Sequence, residues 1–133
     1  MSKDSLVQKH IGIYKEEITN KERIIKIKDL SYEFLISGYS LSEYLQKVLA
    51  IILKNLIIPI SVKENCVKDI SFCETLNDKC FRKGIIIEYT FLKIYDNLKY
   101  YTYYLWFIDN YCLWITKNIA KHMKQSEQPS SEY

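Results

Sequence analysis

Glycine and proline are nearly missing from this chain, with three glycines and two prolines in 133 residues. A β-sandwich or barrel turns about every 8–12 residues and uses both residue types at many of those turns, so an all-β fold is disfavoured. Alanine occurs only at Ala50 and Ala120, and arginine only at Arg23 and Arg82, against 17 lysines. A strong nucleotide bias in the coding sequence would produce this skew. Lysine and tyrosine therefore carry less functional information here than in a balanced composition. A large net charge is missing too, because 19 basic residues face 16 acidic ones and leave +3. A dedicated nucleic-acid binder clusters a basic excess, and no direct nucleic-acid site is evident.

Long clean apolar runs are also absent. The stretch from Leu45 to Ile60 is broken by Lys47, Lys54 and Asn55, and that from Tyr100 to Ile119 by Asp109, Asn110 and Lys117. A membrane helix needs about 20 predominantly apolar residues, so both read as core helices and no membrane is expected as a partner. The N-terminal MSKDSLVQKH has no apolar segment of the kind a signal peptide carries.

The chemistry-bearing motifs are missing as well. No P-loop, GxGxxG, HExxH or GxSxG occurs. Cys66, Cys73 and Cys80 repeat every seven residues and fall near one helix face, but that step parts the sulfurs by about 10 Å, whereas zinc sites use C-x(2–4)-C pairs. With Cys112, they read as free thiols in a reducing, intracellular compartment. His10 and His122 lie at opposite ends, and His122 in a lysine-rich last turn complements a helix dipole. No catalytic residue, metal or cofactor is implied, and the chain is not expected to be an enzyme.

What the chain does contain is 48% apolar residues with 26% charged, enough for one globular domain with a real core. The pattern predicts an all-α compact bundle of five to six helices over residues 1–124, with a disordered polar tail from 125 to 133. A first helix is expected from Ser5 to Glu17, with Val7, Ile11 and Tyr14 inward. Asn20 is the expected cap of a second, striped by Ile24, Ile27, Leu30, Phe34 and Leu35 and stopped at Gly38. Ser40 with Glu43 forms a capping box before Leu45, Val48, Leu49, Ile52, Leu53 and Leu56. Ser61 with Glu64 repeats that grammar after Pro59, opening a helix that runs to Gly84 with Val67, Ile70, Phe72 or Cys73, Leu76 and Cys80 inward. Ile86, Tyr89, Phe91, Leu92, Tyr95 and Leu98 fit a further helix, and the chain should break between Asn97 and Tyr101.

The last expected helix, from about Tyr101 to Met123, holds, together with the residue before it, the densest aromatic cluster: Tyr100, Tyr101, Tyr103, Tyr104, Trp106, Phe107, Tyr111 and Trp114. Aromatics on every side of one helix cannot all enter the core of a small domain. Tyr and Trp give large contact area at low entropic cost, which suits a partner surface, and Tyr103, Trp106, Phe107 and Trp114 are the candidate interface residues. A stacking platform for single-stranded nucleic acid would need interleaved basic residues, and none lies between Lys99 and Lys117. Composition bias filling an ordinary core is the remaining reading.

The segment KDLSYEFLISGYSLSEYLQKVLAIIL, from Lys28 to Leu53, together with KDISFCETLNDKCFRKG from Lys68 to Gly84 and the stretch Glu88 to Leu98, resembles the C-terminal collar domain of replication factor C small subunits, the clamp loaders of DNA replication. Those collars likewise have a helix ending in a GYS or GLS turn, then an acidic-apolar helix start, then an apolar helix closed by glycine. The resemblance implies a non-catalytic oligomerisation domain, five of which pack side by side into a ring that supports sliding-clamp loading. Its partners would be other clamp-loader subunits, its location nuclear, and its ATPase domains would lie outside this chain. The alternative expectation is a free-standing helical adaptor that binds a helical protein partner in a groove, and a homo-oligomer is compatible with either.

Overall fold

The computed structural model describes residues 2–79 and 82–127, the side chains of residues 109 and 124–127 excepted. Six helices follow one another: α1 (Lys3–Lys15), α2 (Asn20–Ser37), α3 (Leu41–Lys54), α4 (Ile60–Lys79), α5 (Lys83–Leu98) and α6 (Thr102–Glu127). Among the described residues there is no strand, so the fold is the expected all-α bundle.

Capping decides where most of these helices start and stop. Ser2 accepts the Ser5 amide at 3.2 Å and opens α1. Thr19, not Asn20, caps α2 by accepting the Glu22 amide at 3.1 Å. Either residue can serve chemically; the chain direction leaving α1 places the threonine in the extended conformation a cap needs. Gly38 closes α2 in the left-handed region at φ 72°, as its position implied. Ser40 then accepts the Glu43 amide, which is half of a capping box. The return half is absent, because the Glu43 carboxylate pairs with Lys3 at 2.6 Å and ties α3 to α1 instead.

Two expected boundaries move. Ser61 does not cap α4; the Pro59 carbonyl accepts the Val62 and Lys63 amides, so the helix is already under way at Ile60. Gly84 does not end α4 either. It lies in the first turn of α5, which begins at Lys83 after the non-helical Arg82. At the other end of the chain, α6 runs past the expected boundary at residue 124 to Glu127, and residues 128–133 of the expected tail lie outside the described residues.

The helices close around α5, which packs against both α2 and α4, while α1 touches α2, α3 and α6. The core is continuous from Leu6 in α1 to Leu105 in α6, with Ile27, Tyr44, Leu45, Val48, Cys66 and Phe91 fully enclosed. Several residues expected inward face solvent: Leu35, Leu53, Leu56, Val67, Phe72 and Tyr89. On α4 the inward ridge is Cys66, Ile70 and Cys73, one position away from Val67 and Phe72. The open choice between Phe72 and Cys73 is settled for the cysteine, which is buried while Phe72 is exposed. Burial pushes the Cys66 thiol up to about 11, and that of Cys73 up as well, so neither is a thiolate at neutral pH. Cys80 lies outside the described residues.

Candidate protein interaction surface

Helix α6 starts in the core and leaves it. Tyr101 closes the turn from Leu98, its amide donating to the Leu98 carbonyl at 2.9 Å. Thr102 is buried and donates its hydroxyl to Lys99 O at 3.0 Å. Leu105 enters the apolar wall formed by Ile11, Tyr14, Ile52, Ile58 and Leu98. Beyond Leu105, only Trp106, Ile115 and Asn118 among the described side chains are even half-buried. A helix of 26 residues is about 39 Å long, so most of its length stands clear of the bundle.

The exposed length is not polar. Tyr103 is 61% exposed, Phe107 45% and Trp114 60%, and Tyr104, Tyr111, Leu113 and Ile119 are exposed beside them. One face carries an aromatic ladder. Tyr103 stacks on Phe107 with ring centroids 6.0 Å apart, Phe107 on Tyr111 at 5.9 Å, and Tyr111 on Trp114 at 6.1 Å. Steps of four, four and three residues keep these rings on one side of the helix. Three of the four residues singled out from sequence, Tyr103, Phe107 and Trp114, belong to this ladder. Trp106 does not: it is half-buried at the root of α6, with its ring 5.8 Å from that of Tyr103. Asn110 and Asn118 donate back to the Trp106 and Trp114 carbonyls at 2.8 and 2.7 Å, so their amides are engaged within the helix.

At the root of α6 lies a groove of about 630 Å³. Its walls are the α1–α2 connection and the first turns of α6: Glu16, Glu17, Glu22, Lys99, Tyr103 and Trp106 among others. Glu16 pairs with Lys26 at 2.5 Å and Lys99 with Asp96 at 2.9 Å. Glu17 and Glu22 hold no ion pair among the described residues, so with the cationic Arg23 beneath them the groove keeps only a small acidic excess, at its exposed rim.

Two buried polar residues were not identified as important from sequence, and the first lies beneath this groove. Arg23 is buried beneath the groove and donates to Ile13 O at 2.6 Å, to Glu16 O at 3.1 and 3.2 Å, and to Ile18 O at 3.1 Å. It thereby satisfies the free carbonyls at the end of α1 and holds the connection that forms the groove wall. Desolvation pulls the guanidinium below its ordinary value, but it stays charged at any biological pH. A signal existed in the composition: where lysine has replaced arginine almost everywhere, a retained arginine marks a place where the planar fork matters.

His10 is the second. Its ring is fully enclosed, 4.7 Å from that of Phe91, with Nδ1 3.0 Å from Tyr44 Oη and Nε2 2.9 Å from Tyr14 Oη. Tyr44 gives its one proton to Leu6 O at 3.1 Å. It must therefore accept from His10 Nδ1–H, which leaves Nε2 to accept from Tyr14. The imidazole is neutral, and burial lowers its pKa to about 3. This is a satisfied core triad, and Cys66, near enough to Tyr14 to help raise its pKa, is itself held as a neutral thiol by burial. Among the described residues, no group of three His, Cys, Asp or Glu side chains could hold a metal ion. No helix among them is long and apolar enough to cross a membrane.

No protein-family model, curated protein or solved structure matches the chain.

Proposed function

We propose that this chain is a non-catalytic assembly module, in which a rigid five-helix body presents α6 to a protein partner. The observation that carries the reading is the exposed aromatic ladder on a helix anchored at one end by Leu105. Soluble domains do not leave so much contiguous apolar surface uncovered without a use for it. Tyr103, Trp106, Phe107 and Trp114 are the contact residues, with Trp114 the hot-spot candidate on the free length.

The narrower form of the proposal is a clamp-loader collar. In its support, the segment Lys28 to Leu53 folds as a helix, a left-handed glycine and a serine-capped helix, the grammar of the first segment on which the resemblance rests; the second, Lys68 to Gly84, departs from it, because Gly84 lies in the first turn of α5. The partners would then be clamp-loader subunits carrying the ATPase domains, and the location nuclear.

Affinity capture of the tagged chain from its own cells, beside a Trp106→Ala/Trp114→Ala variant, tests both levels. The native chain is expected to bring down AAA+ clamp-loader subunits and the variant to lose them, with helicity by circular dichroism unchanged. Recovery of unrelated proteins or none overturns the collar form. An unchanged set of partners on the double variant overturns the role of α6.

A further inference from the structure

The ladder face does not end at Trp114. Continuing in steps of three and four, the same side of α6 carries Lys117 and then Lys121, both exposed and neither in an ion pair among the described residues. One chain therefore presents two complementary features: a helix with an aromatic middle and a lysine tip, and at the root of that helix a groove whose rim carries Glu17 and Glu22, neither in an ion pair among the described residues, above the buried Arg23. Complementary features on one molecule define a self-complementary surface, the requirement for a twofold dimer.

We propose that α6 pairs antiparallel with α6 of a second copy, the lysine tip of each lying at the acidic rim of the other's root groove. This rests on the assembly reading, though not on its clamp-loader form. The register follows from the sequence positions. Setting Lys121 over Tyr103 sets Lys117 over Phe107, since both pairs are symmetric about position 112. Each ammonium then meets an aromatic face, and Lys121 reaches the carboxylates of Glu17 and Glu22. A parallel pairing would instead stack lysine on lysine and leave both acidic rims unmet.

The surface suffices. A standard interface takes about 800 Å² from each partner. Tyr103, Phe107, Tyr111 and Trp114, each with roughly 100 Å² still to lose, supply about half of it. The groove walls and the aliphatic stems of the two lysines supply the rest.

Sedimentation velocity on the full chain, with two charge-altered chains, tests this. The native chain should sediment as a dimer. Glu17→Lys/Glu22→Lys in one chain and Lys117→Glu/Lys121→Glu in another should each weaken self-association on the order of tenfold or more, because each sets like charges together. Mixed in equal amounts, the two altered chains should dimerise again, since each tip then meets an opposite root. If the root-altered chain self-associates like the native one, or the mixture fails to dimerise, the antiparallel arrangement is wrong. If the native chain is monomeric while capture of a different protein still requires Trp106 and Trp114, the second-copy inference fails and the assembly reading stands. If the tryptophans matter to neither association, both fail.

Discussion

At the scale of single residues, the chain spends its rare polar side chains on satisfying buried groups. His10 illustrates the cost and its limit. Enclosed among Tyr14, Tyr44 and Phe91, it donates and accepts one hydrogen bond each, so the neutral ring is satisfied, while burial penalises the charged one. With the folded pKa near 3 and an unfolded value of about 6.5, the unfolded chain binds the extra proton first. The contribution is whole above about pH 6.5 and shrinks as pH falls toward 3, by about 2 kcal/mol at pH 5. The carboxylates of Asp4 and Glu43, held below their usual range by Lys47 and Lys3, lose their contributions only at lower pH, through the carboxylate range. Urea unfolding at pH 7 and pH 5 should therefore show the native protein losing stability, and His10→Gln losing less than half as much. Equal losses in both would mean that His10 does not titrate on unfolding. His10 was legible in principle, lying three residues after Val7 and four before Tyr14 on the apolar stripe of α1. What the sequence could not supply was its partner Tyr44, which is distant in the chain and meets it only through the packing of α3 on α1.

At the scale of the element, local signals placed helices better than faces. Start and stop positions depend on groups within four residues, so Gly38, Ser40 and the break before Tyr101 were all readable. Which stripe faces inward depends on the neighbouring helix. On α4 the periodicity allowed Val67 and Phe72, and the packing of α5 chose Cys66, Ile70 and Cys73. The glycines separate the two kinds of information cleanly. An added Cβ at Gly38 or at Gly12 would meet no atom within 4 Å, so only backbone conformation distinguishes them. Gly38 is left-handed, and Gly38→Ala should cost about 1 kcal/mol. Gly12 is in mid-helix, and Gly12→Ala should stabilise by about 0.5–1 kcal/mol. Opposite shifts of the urea midpoint at unchanged slope are the expected result. A stabilising shift for Gly38→Ala would mean that its left-handed φ imposes no cost on a side chain.

At the scale of the whole molecule, the five-helix body and α6 should differ in how they hold together. The body is a continuous core from Leu6 to Leu105, so its amides open only with global unfolding. The free length of α6 has no such neighbours. The composition showed that its aromatics were too many for one core, but not on which side of the boundary they fell. That was decided by Thr102 and Leu105, which bury the root and thereby aim the rest outward. An unsupported helix of this length, without alanine runs, is marginal in water, with an opening free energy below about 2 kcal/mol. In dilute solution, hydrogen exchange should therefore find the amides beyond Phe107 weakly protected while those of α2 and α5 exchange only at the global rate. Association adds stability only to the associated form, so protection of the same α6 amides should rise with chain concentration and that of α2 should rise less. In Trp114→Ala, with the body intact, the concentration dependence should be lost and the dilute pattern kept. Protection of α6 equal to that of α5 at every concentration would mean that the helix lies folded against its own body in solution, where its aromatics would have no surface left to offer.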